Sequence, residues 1–206
     1  MTDRDSSSEP HAAHISEASS PDGSGSAERF ARRVPAGDDR TRLVCNDCGF
    51  VAYENPKIVV GSVATWEGGI LLCRRAIPPR EGYWTLPAGY LELNESTADG
   101  ARREALEEAG AELEIDQLLA VYSIPRLSQV QLIYRARLLN PDVEAGIETQ
   151  ELDIFDWPSI PWDDLAFPSV HWALGHYAET RDHAIFAPRS NPPGEEGNMP
   201  RIAKKA

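Results

Sequence analysis

The chain has 206 residues, 41% of them hydrophobic, and a formal net charge of −13 at pH 7. This size suits one domain of about 130–150 residues with tails. The acidic balance argues against a partner of duplex nucleic acid, because such proteins depend on Lys and Arg contacts to phosphates. No apolar run reaches the roughly 18–20 residues of a membrane span, and the first residues lack a signal-peptide pattern, so we expect a cytoplasmic protein without a membrane partner.

The two ends of the chain have the composition of disordered tails. Residues 1–36 are rich in Ser, Asp, Glu, Gly, Ala and Pro, and residues 188–206 are similar. Such segments bury too little apolar surface to offset the entropy of ordering. We therefore predict tails over 1–36 and 188–206, a short separate segment over 37–55, and the main domain over 56–187.

Within the main domain, strand patterns surround one helix pattern and precede a second. The apolar runs and turn residues predict strands at 58–66, 70–73, 113–122, 130–138 and 152–157. A final helix is predicted after Pro168, with His171 and His176 as surface or packing residues. Cys73 falls on a predicted buried strand, which argues against a role as a nucleophile.

The central helix carries an unusual cluster of glutamates. Ser96 and Gly110 are suited to the caps of a helix over Thr97–Ala109. At 100° per residue its alanines form one stripe, and the neighbouring sector holds Glu104, Glu107 and Glu108. Like charges at this spacing repel by roughly 0.2–0.5 kcal/mol per pair. Carboxylates that converge in this way suit Mg²⁺ or Mn²⁺, and a divalent ion would turn the repulsion into a binding site.

A longer pattern surrounds this cluster at fixed spacing, G-x5-E-x7-R-E-U-x-E-E-x-G-U, where U is aliphatic. The matching residues are Gly89, Glu95, Arg103, Glu104, Ala105, Glu107, Glu108, Gly110 and Ala111. This pattern is the Nudix box, and the chain resembles a Nudix hydrolase. The agreement over so many fixed positions argues against the alternative that the glutamates are merely a solvated helix face.

The resemblance implies an α/β/α sandwich with a mixed central sheet that hydrolyses a nucleoside diphosphate linked to another group. It also implies Mg²⁺ or Mn²⁺ held by Glu104, Glu107 and Glu108, with the Gly89 carbonyl as a further ligand. Arg103 and Glu95 would support the loop and the glutamates, and Gly110 would support the end of the helix. In such a site the ions polarise the pyrophosphate and activate a water.

One further carboxylate outside the box often completes the metal site or acts as the base in this family. Glu148 and Glu151 lie just before the last predicted strand, where relatives carry an E-x-x-E pair. We favour Glu151 as this catalytic residue. The alternative is that both are ordinary loop carboxylates.

Segments beyond the box resemble the FAD pyrophosphatase subfamily, over roughly residues 34–180. This similarity implies cleavage of FAD to FMN and AMP, with ADP-ribose, NADH or sugar nucleotides as alternative substrates. Ser128-Gln129 is not followed by the rest of the SQPWPFP motif of NADH pyrophosphatases, which argues against NADH. An inactive Nudix domain that senses nucleotides or binds proteins is an alternative of another class. Nudix hydrolases of this type are often dimers, so a homodimer is left open.

The segment 37–55 resembles half of a zinc ribbon. Cys45 and Cys48 form a C-x-x-C knuckle, but Ser24-Gly25-Ser26-Ala27 stands where the relatives have the first cysteine pair. A structural zinc needs four ligands, so we predict a degenerate knuckle without Zn²⁺. The alternatives are a zinc site completed by His11 and His14, a zinc shared across a dimer, and a redox pair.

Overall fold

The computed structural model describes residues 29–198 and divides the chain into two units, Met1–Glu54 and Asn55–Ala206. None of the helices in the described range combines the length and the apolar character needed to cross a bilayer.

The N-terminal unit contains a small antiparallel sheet of three strands. They are β1 (Phe30–Arg33), β2 (Arg42–Cys45) and β3 (Val51–Ala52), in the order β1-β2-β3. Phe30 lies opposite Cys45 in the register of the first pair. Strand β1 falls inside the segment 1–36 that was predicted as a tail. The composition of this segment did not indicate a strand, because β1 is ordered by its pairing with β2. Residues 1–28 of that predicted tail lie outside the described residues.

The C-terminal unit is built on a seven-stranded mixed sheet. Its strands are β4 (Lys57–Trp66), β5 (Gly69–Arg75), β6 (Trp84–Thr85), β7 (Ala88–Tyr90), β8 (Leu113–Ile124), β9 (Gln129–Leu138) and β10 (Thr149–Phe155). The main path runs β10-β5-β4-β9-β8, with β6 paired to β5 and β7 to β4. Strands β4 and β9 are parallel, whereas the other pairs are antiparallel.

One helix covers each face of this sheet. Successive strand residues point to opposite faces, so Leu71 joins one core cluster and Leu72 the other. The first cluster includes Ala105 and Ala109 of α1 (Thr97–Ala109), and the second includes Leu174 of α2 (Pro168–Thr180). The predicted α/β/α sandwich with a mixed central sheet is confirmed.

The helix α1 begins and ends where its caps were predicted. Ser96 Oγ accepts a hydrogen bond from the Asp99 backbone N–H at 3.1 Å, which satisfies one of the free donors at the first turn. Gly110 has a φ of 59°, and its N–H reaches the carbonyls of Ala105 and Leu106. This left-handed conformation favours glycine and ends the helix. The glutamates of α1 are therefore placed by two well-capped ends.

The chain after α2 does not behave as the tail predicted from residue 188. The N–H of Arg189 donates to the Leu119 carbonyl at 2.8 Å, and the N–H of Val121 donates to the Arg189 carbonyl at 2.9 Å. The segment therefore pairs with strand β8, and the described structure continues to residue 198. Composition alone missed this pairing because the partner groups belong to the backbone of β8. Residues 199–206 of the predicted tail are not among those described.

Candidate active site

The glutamates of α1 lie in a cleft of about 1000 Å³ in the C-terminal unit. Five carboxylates line it, from Glu92, Glu104, Glu107, Glu108 and Glu148. The remaining walls come from strands β4, β7 and β9, the end of β8, and the first turn of α2. The sheet and both helices thus converge on one acidic cavity.

Arg103 organises the acidic wall by bonding with every nitrogen of its guanidinium. Nε and Nη2 donate to the Glu95 carboxylate at 3.1 and 2.7 Å. Nη1 donates to Glu104 at 2.8 Å and to Glu107 at 3.0 Å, and Nη2 also reaches the Tyr90 carbonyl at 2.9 Å. Glu95 in turn accepts from the Glu92 N–H at 2.7 Å. One arginine therefore ties the loop before α1 to two of the predicted metal ligands.

Glu108 is held differently, by the backbone of β7. Its Oε2 accepts from the Ala88 N–H at 3.0 Å, and its side chain is buried. Burial, helped by the nearby charges of Glu104 and Glu148 and opposed by the hydrogen bond from the Ala88 N–H, raises the pKa of Glu108 to about 7. Burial also raises the pKa of Glu104, although Arg103 partly opposes this effect. Both carboxyls are thus costly to ionise without a cation.

Gly89 lies directly beside the Glu104 carboxylate. A Cβ on Gly89 would lie 2.2 Å from Oε2 of Glu104, so a side chain there would displace this carboxylate. The absence of a side chain lets the backbone of β7 pass close to Glu104 in its present position. This contact places the predicted carbonyl ligand beside a predicted carboxylate ligand.

These residues fit a hard divalent cation by the chemistry of their donors, which are all oxygens. Within residues 29–198, no three His, Cys, Asp or Glu side chains are already gathered around one point. The reason is local, because Arg103 holds Glu104 and Glu107 while the Ala88 N–H holds Glu108. The fit is supported by two buried carboxyls with raised pKa values and by the close approach at Gly89.

The raised pKa of Glu108 predicts that metal binding depends on pH. A ligand carboxyl must lose its proton to bind the ion, so the protonated form competes with the metal below pH 7. We expect the dissociation constant for Mn²⁺ to fall about tenfold between pH 6 and pH 8, as the ionised fraction rises. Calorimetric titration of Mn²⁺ at pH 6, 7 and 8 measures this dependence. An affinity that stays constant over this range would contradict it.

The loop that carries Glu148 is attached to the end of α1. The N–H groups of Glu144 and Gly146 donate to the carbonyls of Ala109 and Glu108 at 2.8 and 3.0 Å. A Cβ on Gly146 would lie 1.9 Å from the Glu107 carbonyl oxygen, so this contact requires glycine. The loop thereby satisfies carbonyls that α1 leaves free and brings Glu148 beside Glu104 and Glu108.

Glu151, the residue favoured from the sequence, faces a different group. Its carboxylate accepts from Arg74 Nη1 at 3.1 Å, its side chain is 56% exposed, and it is not part of the cleft lining. The E-x-x-E spacing could not separate the two glutamates, because a register shift in the pairing of β10 with β5 falls between Thr149 and Glu151. The structure thus brings Glu148 into the cleft, whereas Glu151 stays in an ion pair outside it.

Arg75 is a cleft residue that the sequence interpretation missed. Its Nε donates to the Pro79 carbonyl at 2.9 Å, and its guanidinium lies 5.3 Å from the centre of the Phe167 ring. Its charge lowers the pKa of Glu108, and among residues 29–198 no carboxylate is within ion-pair distance of it. The only sequence signal was a pair of arginines at the end of a strand, which is also typical of a solvated strand end.

The histidines and Cys73 have packing roles in the described structure. Cys73 is buried on β5, and burial raises the pKa of its thiol to about 12, which disfavours a nucleophilic thiolate. His176 shares a 2.8 Å hydrogen bond with the hydroxyl of Tyr122, and His171 stacks on Trp162. None of the three lines the cleft.

In the N-terminal unit, Cys45 and Cys48 form a tight knuckle. Cys45 is buried and Cys48 is exposed, and the backbone N–H groups of Cys48 and Asp47 lower the pKa of the Cys45 thiol. The Gly49 N–H closes the turn on the Cys45 carbonyl at 3.0 Å. Over residues 29–198 no further metal-binding side chain joins this pair, and His11 and His14 fall outside that range.

We therefore expect the purified protein to contain no stoichiometric zinc. Two cysteines leave half of a tetrahedral site open. Elemental analysis of protein purified without chelator measures the zinc content. About one zinc per chain would overturn the prediction, and about one per two chains would indicate a site shared between copies.

Comparison with known proteins places these features in a family. The NUDIX domain family matches residues 55–188, and the Nudix N-terminal zinc-ribbon family matches residues 27–54. A NUDIX hydrolase from Nitrosomonas europaea has a similar structure, with 46% identity, a TM-score of 0.74, and coverage of 79% of this chain and 93% of that chain.

Two other relatives are described as ADP-ribose pyrophosphatases. The protein from Methanocaldococcus jannaschii is 29% identical over 56% of this chain and 69% of its own length. The Streptococcus suis structure shares the fold at 22% identity with a TM-score of 0.57, covering 66% of this chain and 100% of that chain. The chain spans about half the length of several other curated relatives. The family match covers most of the chain and includes the glutamates of the cleft, so the protein belongs to the Nudix hydrolases, with named pyrophosphatases among its relatives.

Proposed function

We propose that this Nudix hydrolase cleaves the pyrophosphate bond of a nucleoside diphosphate linked to a second group, with FAD as the preferred substrate. The observation that carries the proposal is that the three α1 glutamates and Glu148 line the same cleft of about 1000 Å³. A cavity of this size accommodates a dinucleotide-sized ligand, since ligand pockets run from about 300 to 1000 Å³. Because these carboxylates repel an anionic substrate, the substrate binds beside them only together with cations.

In the proposed site, Glu104, Glu107, Glu108 and the Gly89 carbonyl hold Mg²⁺ or Mn²⁺. When bound, such ions neutralise the pyrophosphate and lower the pKa of a water. Arg103 holds Glu104 and Glu107 in place from behind, through contacts of 2.8 and 3.0 Å. The burial of Glu104 and Glu108 keeps bulk water away from these carboxylates, which strengthens their interaction with cations.

Glu148 and Arg75 are suited to the remaining tasks. Glu148 belongs to the cleft lining and lies near enough to Glu104 and Glu108 to raise their pKa values, so it can accept a proton from water that attacks phosphorus. Arg75 lies at the same cavity with no carboxylate partner among the described residues, and its planar guanidinium suits a phosphate oxygen. Phe167 and Pro79 hold this guanidinium in place.

A paired substitution tests the proposed role of Glu148. Glu148→Gln keeps the size of the side chain but removes its basicity, so we expect kcat to fall by about 10²-fold. Glu151→Gln changes a carboxylate on strand β10, three residues further along the chain, that faces Arg74, and we expect a change of less than about threefold. Steady-state kinetics at saturating metal measures both variants. A large loss in Glu151→Gln with none in Glu148→Gln would restore the original sequence-based assignment.

FAD is proposed because the resemblance to FAD pyrophosphatases extends well beyond the box. ADP-ribose is the second candidate, because the relatives from Methanocaldococcus jannaschii and Streptococcus suis are described as ADP-ribose pyrophosphatases. NADH and sugar nucleotides are further alternatives. A panel of FAD, ADP-ribose, NADH and CoA, with product identification by chromatography, separates these possibilities.

With FAD we expect FMN and AMP as products and the highest kcat/KM of the panel. If FAD is by far the poorest substrate while ADP-ribose is cleaved, the FAD assignment is wrong and the pyrophosphatase assignment survives. Binding of FAD without hydrolysis at saturating Mg²⁺ and Mn²⁺ would instead favour a nucleotide-sensing module. A cytoplasmic location and a homodimer stay sequence-based predictions.

A further inference from the structure

The segment of residues 189–197, here called the strap, covers the free edge of the main sheet. Strand β8 ends the path β10-β5-β4-β9-β8, so one side of its backbone lacks a strand partner. The strap begins there with Arg189, which exchanges hydrogen bonds of 2.8 and 2.9 Å with Leu119 and Val121. Pairing of this kind satisfies backbone groups that an edge strand otherwise exposes.

Asn191 fastens the strap further along the same strand. Its Oδ1 accepts from the Ser123 N–H and its Nδ2 donates to the Ser123 carbonyl, both at 2.8 Å. Nδ2 also donates to the Glu195 carbonyl at 2.9 Å, which bends the strap back toward β8. One side chain therefore holds both the strand edge and the turn of the strap.

The strap ends inside the catalytic cleft. Gly197 is buried and belongs to the cleft lining, together with Ile124, Arg126 and Leu127. Its carbonyl accepts from Arg126 Nε at 3.1 Å. Gly197 has a φ of 72°, and a Cβ there would lie 2.6 Å from Cδ1 of Ile124. The bare backbone of the strap is thus packed directly against the wall that continues from β8.

The strap lies beyond the part of the chain that matches the NUDIX domain family, which ends at residue 188. The lining of the cleft therefore includes a residue, Gly197, that lies outside the matched domain. Arg126 and Gly197 fix each other through one hydrogen bond, so loss of the strap would free the arginine and open this end of the cleft.

The chemistry of this end differs from that of the acidic wall. Leu127, which is 47% exposed, offers apolar surface, whereas the Gln129 amide and the Arg126 guanidinium offer hydrogen-bond donors. A flat heteroaromatic ring has apolar faces and acceptor atoms on its edge, so it matches both features. A charged phosphate group suits this end of the cleft less well, because only the Arg126 guanidinium there carries a positive charge, beside the apolar Leu127 and the neutral Gln129 amide.

We propose that the strap forms the subsite for a heteroaromatic ring of the substrate and sets the affinity for ring-bearing nucleotides. This inference rests on the proposed function, because a pyrophosphate held at the glutamates would direct its attached group along the cleft toward the strap. Asn191 and Gly197 act as positioning residues, since they act by placing the strap and Arg126.

Two full-length variants and a matched control test the proposal. Asn191→Ala removes the three side-chain hydrogen bonds that join Asn191 to Ser123 of β8 and to Glu195 of the strap. Gly197→Val places a branched side chain where a Cβ already meets Ile124. Asn140→Ala is the control, because Asn140 also binds a backbone N–H, at 3.0 Å in the loop after β9, but does not line the cleft.

The first readout is binding without turnover. Calorimetric titration with AMP and with FMN in the presence of chelator should show about tenfold weaker binding of the tighter ligand in both strap variants, a loss of roughly 1.4 kcal/mol. The second readout is kinetic, and we expect KM of the best substrate to rise about tenfold while kcat changes by less than about threefold. The control should match the wild-type protein in both.

The proposal is overturned if both strap variants keep wild-type affinity and KM while hydrogen exchange shows that the edge of β8 has become accessible. It is also overturned if kcat alone falls, because the strap would then affect the position of the glutamates and not the binding of the substrate ring. Failure of the proposed function is a separate result. In that case the wild-type protein hydrolyses no member of the panel, yet the strap variants still weaken binding of AMP or FMN.

Discussion

Replacing Glu108 with glutamine should reduce turnover of every substrate by on the order of 10³-fold. The amide keeps the shape of the side chain and can still accept the Ala88 N–H, but it cannot supply the negative charge that a divalent cation requires. Steady-state kinetics at saturating Mg²⁺ or Mn²⁺ measures the loss. Glu114→Gln is a matched control, because Glu114 is exposed on β8 and pairs with Arg137 at 2.8 Å.

The same substitution should have the opposite effect on the stability of the metal-free fold. Burial raises the pKa of Glu108 from a usual value of 4.5 to about 7, so the folded state favours the protonated form. The stability from this group is complete below pH 4.5 and is lost as pH rises through 7. Glutamine stays neutral throughout, so the variant should have a higher Tm than the wild-type protein at pH 8 and a similar Tm at pH 4. A lower Tm at pH 8 would contradict the buried charge.

Arg103→Ala should damage both activity and folding. It removes all five hydrogen bonds of the guanidinium and leaves the largely buried Glu95 and Glu104 carboxylates without their cation. Breaking such a partly buried network costs about 3 kcal/mol of unfolding free energy. We expect kcat to fall by about 10²-fold as the two ligands lose their alignment.

The neighbouring arginine provides the control for this prediction. Arg102 pairs with Asp99 at 2.8 Å on the exposed side of α1, so Arg102→Ala should cost less than about 1 kcal/mol and leave kcat unchanged. Arg103→Lys should recover part of the activity, since one ammonium cannot replace a fork that serves three carboxylates. Chemical denaturation and kinetics measure all three variants. Equal effects of Arg102→Ala and Arg103→Ala would contradict the central position of Arg103.

The sequence predicted the position of helix α1 well because the determinants of this helix are local. Ser96 and Gly110 set its ends through hydrogen bonds to residues within one turn. The faces of α1 follow from residue spacing alone, so the alanine stripe and the glutamate sector were visible in the pattern. The spacing of the residues from Gly89 to Ala111 matched the Nudix box, and this match indicated the hydrolase chemistry.

The parts that the sequence missed depend on contacts between distant segments. Glu148 and Glu151 are three residues apart, and only the attachment of Gly146 to the end of α1 decides which one enters the cleft. The strap has a tail-like composition, yet its order comes from β8, some seventy residues earlier. The position of Arg75 at the cleft could not be predicted from its neighbours in the sequence, because its guanidinium is held by Phe167 and by the Pro79 carbonyl.

The central claim is that the carboxylates of α1 hold the catalytic divalent cation. Titration of Mn²⁺ followed by electron paramagnetic resonance tests it directly, with the wild-type protein and the triple variant Glu104→Gln/Glu107→Gln/Glu108→Gln. We predict saturable binding by the wild-type protein and its loss in the triple variant, while circular dichroism shows that the fold is retained. Mn²⁺ binding of equal affinity and stoichiometry in the two proteins would contradict the claim.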